Sequence, residues 1–296
     1  MFLNPLLYTA TGIAINGDYH IITQVVQTTS ETTTVRIVPR QGEDPTQTLK
    51  VGDRVELVLY TGRRVDNIGN TIISVDVSTP RALQPFEKEF LQRQPFRGQV
   101  GPKTRQAQTT YDVKIRGVFT SDDLSLGSLI SSAVRQGNNF VIKNCKIGSL
   151  RSRGIVSKAS NGVIKNNTIQ DTWGHSIMLA PKYSWLESGS GNNIIIAENK
   201  ISRSHDVAIA VFANGGNGFV AEAGAHNNVA IRNNVIQSSS LPGIAVTSTK
   251  ELQLDSNGIS ESDNSLLLPN RFSSFGRNKD RTREIYLKNV IESNNR

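Results

Sequence analysis

Val163-Ile164-Lys165-Asn166-Asn167-Thr168-Ile169 is the stretch that decides how this 296-residue chain folds. An apolar residue, a second apolar residue, polar residues rich in asparagine and a closing isoleucine recur from residue 139 onward. The copies are Val141-Ile142-Lys143-Asn144-Cys145-Lys146-Ile147, Ile195-Ile196-Ala197-Glu198-Asn199-Lys200-Ile201 and Ala230-Ile231-Arg232-Asn233-Asn234-Val235-Ile236. Gln253-Leu254-Asp255-Ser256-Asn257-Gly258-Ile259 follows, then a shortened Tyr286-Leu287-Lys288-Asn289-Val290-Ile291. Centring the copies on residues 142, 164, 196, 231, 254 and 287 gives steps of 22, 32, 35, 23 and 33 residues. A period of this size marks a solenoid, in which no repeat can bury its apolar face alone.

A second short strand lies between these units: Gly154-Ile155-Val156-Ser157, Ser176-Ile177-Met178-Leu179, Ala208-Ile209-Ala210-Val211 and Gly243-Ile244-Ala245-Val246. Period-two alternation places Ile155, Ile177, Ile209 and Ile244 on one inward ladder, with the following residues outward. Cys145, Asn167, Asn199, Asn234 and Asn257 share one position at a change of direction. Asparagine tolerates the left-handed backbone of such a bend, and its amide can bond to the next coil. The fold class expected is all-β: a right-handed parallel β-helix with an inserted small antiparallel β-barrel.

The insert is placed near the N-terminus. Gly12-Ile13-Ala14-Ile15 matches Gly154-Ile155-Val156-Ser157, so residues 1–19 read as one coil. His20 to Val26, Thr33 to Val38, Val55 to Tyr60, Asn70 to Val77 and Thr109 to Phe119 then read as antiparallel strands, with Val51-Gly52-Asp53 as a turn. The expected organisation is residues 1–19 as a coil, 20–118 as the barrel, and 119–296 as the β-helix. Gln84 to Arg116 is expected to be a barrel loop or a strap. The chain would start mid-coil, and an exposed solenoid end needs a cap, so earlier coils are expected to be missing.

Composition narrows the function. The formal charge is +8. Between Arg81 and Gly117, Arg81, Lys88, Arg93, Arg97, Lys103, Arg105, Lys114 and Arg116 face only Glu87, Glu89 and Asp112. An anionic partner would suit that segment, but no nucleic-acid-binding motif accompanies it, and nucleic acid is not expected. No run reaches the roughly 18 apolar residues of a membrane span. The opening Met1-Phe-Leu-Asn-Pro-Leu-Leu lacks a basic region and a cleavage site, so no secretion signal is read. One cysteine excludes an internal disulfide. The four histidines show no ligand spacing, so neither metal nor cofactor is expected.

Several motifs together resemble the pectin-lyase-like superfamily. They are Gly12-Ile-Ala-Ile-Asn-Gly17, Val51-Gly52-Asp53-Arg54-Val55, Asn139-Phe140-Val141-Ile142-Lys143-Asn144 and Arg151-Ser-Arg153-Gly154-Ile155. More narrowly they resemble the β-helical α-galactosidases of glycoside hydrolase family 110, to which Trp185-Leu186-Glu187-Ser188-Gly189 followed by Asn193-Ile-Ile-Ile is also similar. The resemblance implies a polysaccharide or glycan partner and a secreted or cell-surface setting. It also implies an Asp-Asp pair just before the first strand. Ala10 and Thr11 stand there instead, which puts galactosidase activity in doubt.

Aligning the second strands builds rows at their N-terminal ends: Thr11, Arg153, His175, Val207; Ala10, Ser152, Gly174, Asp206; and Arg151, Trp173, His205. Asp171 lies just upstream. The first long step adds Lys182, Tyr183, Trp185 and Glu187. Sugars are held by aromatic platforms edged with polar groups, and glycoside hydrolysis uses two carboxylates. The candidate catalytic residues are Asp171, Glu187 and Asp206. The candidate substrate-binding residues are Arg151, Arg153, His175, Lys182, Tyr183, Trp185 and His205, with Trp173 beside them. Surface ion pairing is an equally simple reading of each carboxylate. Two other functions remain open at this point: a lyase using Arg151, Arg153, Lys158 and Lys182, and a non-catalytic binding solenoid.

Overall fold

The structure is a computed structural model that describes residues 11–15, 17–39, 43–65, 69–78, 84–92, 109–181, 183–262, 266–267 and 287–294. Three parallel sheets run the length of the solenoid. The first contains Ile13–Ile15, Ile155–Ser157, Ile177–Leu179, Ile209–Val211, Ile244–Val246 and Leu266–Leu267. The second contains Lys146–Leu150, Thr168–Thr172, Lys200–Ser204, Val235–Ser239 and Gly258–Ser262. The third contains Val141–Lys143, Gly162–Lys165, Asn192–Ala197, His226–Arg232, Thr249–Asp255 and Leu287–Ser293. Each coil passes through the third sheet, the second and then the first.

The repeat alignment becomes a hydrogen-bonded register. Ile142, Ile164, Ile196, Ile231 and Leu254 are successive partners. Ile13, Ile155, Ile177, Ile209 and Ile244 form a second column. With Ile169, Ile201 and Ile236 they form one continuous core, nearly free of solvent except at Ile13, which is half-buried against its end. Each such side chain contributes on the order of 2 kcal/mol by leaving water, which is why β-branched residues in strict register specify the stack.

The bend differs from expectation by one residue. Asn144, Asn166, Glu198, Asn233 and Ser256 carry the positive φ, between 52° and 59°. The residues after them turn inward and form a buried amide ladder. Asn167 Nδ2 donates to Asn199 Oδ1 (2.9 Å), Asn199 Nδ2 to Asn234 Oδ1 (3.0 Å) and Asn234 Nδ2 to Asn257 Oδ1 (2.9 Å). Each amide also donates back to a strand carbonyl, of Ile142, Ile164, Ile196 and Ile231 in turn. Cys145 ends the ladder, its backbone N–H donating to Asn167 Oδ1 (3.0 Å).

The last coil also departs from the sequence alignment. Leu287 pairs with Thr249 and Glu292 with Leu254, so the centre of this copy is not Leu287. The apolar cluster at 287–291 drew the alignment, whereas the left-handed residue at this bend is Asn294, at φ 49°.

Outward positions of the first sheet are covered as well. Val156, Met178, Ala210 and Ala245 are buried in a second cluster with Val207 and Phe212.

The insert forms a six-stranded antiparallel sheet, ordered Val55–Val58, Leu129–Ser132, His20–Thr28, Thr32–Val38, Tyr111–Arg116, Ile72–Val77. An Arg54–Thr71 bridge joins its two ends, closing a barrel around Ile22, Val35, Ile37, Leu57, Val113 and Ile115. Because Leu129–Ser132 pairs with both His20–Thr28 and Val55–Val58, the barrel extends past residue 118. Solenoid strands resume at Val141. Of the expected strap, residues 84–92 and 109–116 are described; Pro85–Gln92 is a helix. Most of the basic segment lies outside the described residues.

The first two long repeat steps clamp the barrel. Tyr183 and Leu186 from the first insertion, with Ala213, Ala221 and Ala225 from the second, pack on Tyr19, Ile21, Val38, Val58 and Leu129. Glu187–Ser188 pairs with Gly17–Asp18, and the Tyr19 N–H donates to Leu186 O (2.9 Å). Buried Glu56 accepts from the hydroxyls of Tyr19 and Ser190 and from Gln136, joining barrel to solenoid. Burial first, and then the Glu56 carboxylate, push the Tyr19 phenol well above its ordinary range.

Candidate functional site

The site sits where second-sheet strands turn into first-sheet strands. Leu150 and Thr172 carbonyls accept from the Trp173 and His205 N–H groups (2.9 and 2.8 Å), which holds Arg151, Trp173 and His205 in one row on successive coils. Trp173 is 66% exposed. Its ring lies over the His205 imidazole, centroids 4.6 Å apart and planes 14° from parallel.

Two carboxylates flank this stack. The Asp171 backbone bulges outward at φ 52°, as does Arg203, its counterpart on the next coil, at the same angle. The Arg203 guanidinium donates twice to Asp171, at 2.6 and 2.8 Å. Those hydrogen bonds hold the Asp171 carboxyl below the usual carboxylate range, so it is ionised and already paired. Asp206 Oδ1 accepts from the Val207 N–H (2.8 Å) and lies 3.3 Å from His175 Nδ1. His175 is buried and meets the edge of Phe212, with ring centroids 6.0 Å apart. Asp206 keeps about a third of its side chain in solvent. An exposed aromatic face with an ionised carboxylate on one side and a His–Asp pair on the other can stack on a sugar ring and bond its hydroxyls.

Arg153 and Arg151 stand one coil toward the N-terminus. The stem of Arg153 lies against Gly174, where the Cβ of any larger residue would meet its Cγ at 3.0 Å. Neither arginine has an ion-pair partner among the described residues.

Glu187 does not join this group. It follows the first-sheet strand Ile177–Leu179, whereas Asp171 and Asp206 precede first-sheet strands. There it takes an ion pair from Lys158 Nζ at 2.7 Å, with 6% and 23% of the two side chains exposed. That pairing also removes Lys158 from the lyase reading. Tyr183 is a correction as well: it is 1% exposed, its ring 5.6 Å from that of Tyr19, because its loop clamps the barrel. Burial pushes its phenol up. Trp185 is exposed on the same loop, at the far end of the first-sheet strands. Lys182 lies outside the described residues. Thus the structure brings together Asp171, Trp173, His175, His205 and Asp206, with Arg151 and Arg153 beside them.

Arg203 and Phe212 were missed in the sequence. Arg203 occupies the position of Asp171 one repeat later, so the repeat alignment held its signal; Phe212 gave none, being the first residue of an irregular insertion. No three His, Cys, Asp or Glu side chains among the described residues are grouped to hold a metal. No described helix is long and apolar enough to cross a membrane.

Residues 117–259 match the family model described as right handed beta helix region. The solenoid is a right-handed parallel β-helix. Its Asn ladder, three sheets and stacked isoleucines all lie within that match or continue it. None of the curated proteins matches the chain. Among solved structures, the β-helix chain is similar to the catalytic domain of a GH87 α-1,3-glucanase in complex with tetrasaccharides, at 8% identity and a TM-score of 0.23. That comparison covers 94% of this chain and 81% of the other. A likeness so distant carries neither substrate nor mechanism.

Proposed function

We propose that this β-helix is a carbohydrate-active protein that grips a glycan on the ledge formed by Trp173 and His205. The observation that carries the reading is the Trp173 ring, two-thirds exposed, supported from behind by a parallel imidazole. Large aromatic rings in water are costly to leave uncovered, and a sugar's apolar face covers one while its hydroxyls reach Asp171, Arg203 and Asp206. A glycan array, followed by affinity electrophoresis on the polymers that bind, tests this. Trp173→Ala is expected to weaken binding about tenfold, a loss of about 1.4 kcal/mol. Unchanged binding by that variant would remove the ledge from the function.

A hydrolytic reading has one observation in its favour, the Asp206–His175 contact at 3.3 Å. Glycosidases need a second carboxylate, and on this face Asp171 is the one available. The resemblance to glycoside hydrolase family 110 is the finer form of this reading. Turnover of aryl α-galactosides that Asp206→Asn abolishes, without loss of glycan binding, would support it; the absence of any released sugar leaves the binding role.

A further inference from the structure

The corner joining the third sheet to the second carries a feature that the ledge does not use. The last residues before the asparagine bend are Lys143, Lys165, Ala197 and Arg232, in register on four successive coils. The first strand residues after it are Lys146, Thr168, Lys200 and Val235, again in register. All five cations are exposed. Opposing acids are scarce: Glu198 pairs with Lys165 at 3.0 Å, and Asp255 stands one coil beyond Arg232. Lys143, Lys146 and Lys200 have no ion-pair partner among the described residues, and Arg232 has the Asp255 carboxylate within electrostatic reach on the next coil.

Like charges on directly opposed strand residues, as at Lys143 and Lys165, weaken a sheet. The two rows together, interrupted by Ala197, Thr168 and Val235, put at least one cation on each of four coils stacked about 4.8 Å apart, a positive stripe parallel to the solenoid axis. Exposed Asn144, Asn166 and Asn233 lie along its centre, interrupted by Glu198, with Asn166 Nδ2 donating to Asn144 Oδ1 at 2.9 Å.

We propose that this stripe binds a linear anionic polysaccharide laid along the axis, its repeated acidic groups meeting cations on successive coils. The exposed apolar residue in these rows is Val235, and none of the exposed residues here is aromatic. A single-stranded nucleic acid binds by stacking its bases on aromatic rings, so a polymer without bases fits the edge better. The stripe lies on a different corner from Trp173 and works independently of it.

Heparin, a sulfated polysaccharide, serves as the probe, with uncharged dextran as control and affinity measured across a salt series. In the edge variant, Lys143, Lys146, Lys200 and Arg232 are each replaced by Gln. A matched barrel variant replaces the exposed Arg63, Lys88, Lys114 and Arg116 by Gln. Wild type should bind heparin, and the edge variant should lose at least tenfold in affinity at low salt. Its slope of log affinity against log salt should fall by roughly one per contact removed. The barrel variant and Trp173→Ala should stay close to wild type, and equal thermal midpoints would confirm that all are folded. No heparin binding by wild type at low salt, equal losses in the two four-site variants, or equal affinity for single-stranded DNA with the same losses would each overturn the proposal.

Discussion

Acidification should loosen this protein through His226, one of its buried histidines. His226 is fully buried, its Nδ1 accepting from the Gly191 N–H (3.0 Å) and its Nε2 lying 2.9 Å from Phe212 O. Accepting at Nδ1 places the proton on Nε2, so the neutral ring ties the end of one barrel clamp to the start of the other. Burial lowers its pKa from 6.5 to about 4; the Glu56 charge opposes that shift and the Arg64 charge adds to it. The depressed value means the unfolded chain binds the proton more readily. The ring's contribution is therefore complete above about pH 6.5 and is lost as pH falls toward 4. A difference of about two and a half units corresponds to roughly 3 kcal/mol over that window, at 1.36 kcal/mol per unit. Carboxylates that the fold holds low, such as Asp53 and Asp171, begin to lose their contribution only toward the acid end of this window, as pH approaches the unfolded value of 3.8.

The assay is urea unfolding of wild type and His226→Gln at pH 7, 6, 5 and 4. At pH 7 the variant should be less stable by about 1–3 kcal/mol, the cost of disturbing a buried hydrogen-bonded pair. By pH 4 the difference should shrink by about 3 kcal/mol, because only wild type has a proton to take up at this site. Other titrating groups cancel in the comparison. A difference between the two proteins that stays constant across the series would refute the reasoning.

Three further outcomes rest on the amide ladder and on the buried Lys158 ion pair. Asn199→Ala removes two donated and two accepted hydrogen bonds inside the amide ladder and should cost about 4 kcal/mol, while Cys145→Asn, which would extend the ladder by one rung, should add about 0.5 kcal/mol; thermal melts of both check this. Glu187→Ala leaves the Lys158 ammonium buried without its partner and should destabilise by about 3 kcal/mol, with glycan binding at Trp173 unchanged once the protein is folded. Loss of that binding in a folded Glu187→Ala protein would join the two ends of the first-sheet strands into one site.

How much of the candidate site could be read from sequence depended on distance from the repeat. Arg151, Trp173 and His205 were placed in one row because each follows a second-sheet strand by one residue, and the backbone hydrogen bonds carry that numbering into space. Tyr183 and Glu187 belong to an insertion whose length breaks the period. Their composition suggested a sugar loop, and nothing local revealed that the barrel would bury one and that Lys158 would claim the other.

By itself the sequence determined the stacking. Isoleucine and asparagine recurring in phase can bury their apolar faces and satisfy their amides only against copies one coil away, so register followed from spacing in every copy up to Leu254 and failed only at the last. It also determined that an antiparallel barrel interrupts the first coil. Only the tertiary structure decided where that barrel leans, because the docking surface is assembled from Tyr19, Leu129, Leu186 and Ala225, far apart in the chain and part of no repeat. The state of each carboxylate was likewise settled in space. Asp171, Glu187 and Asp206 are alike as residues, and differ because one meets Arg203, one Lys158 and one His175.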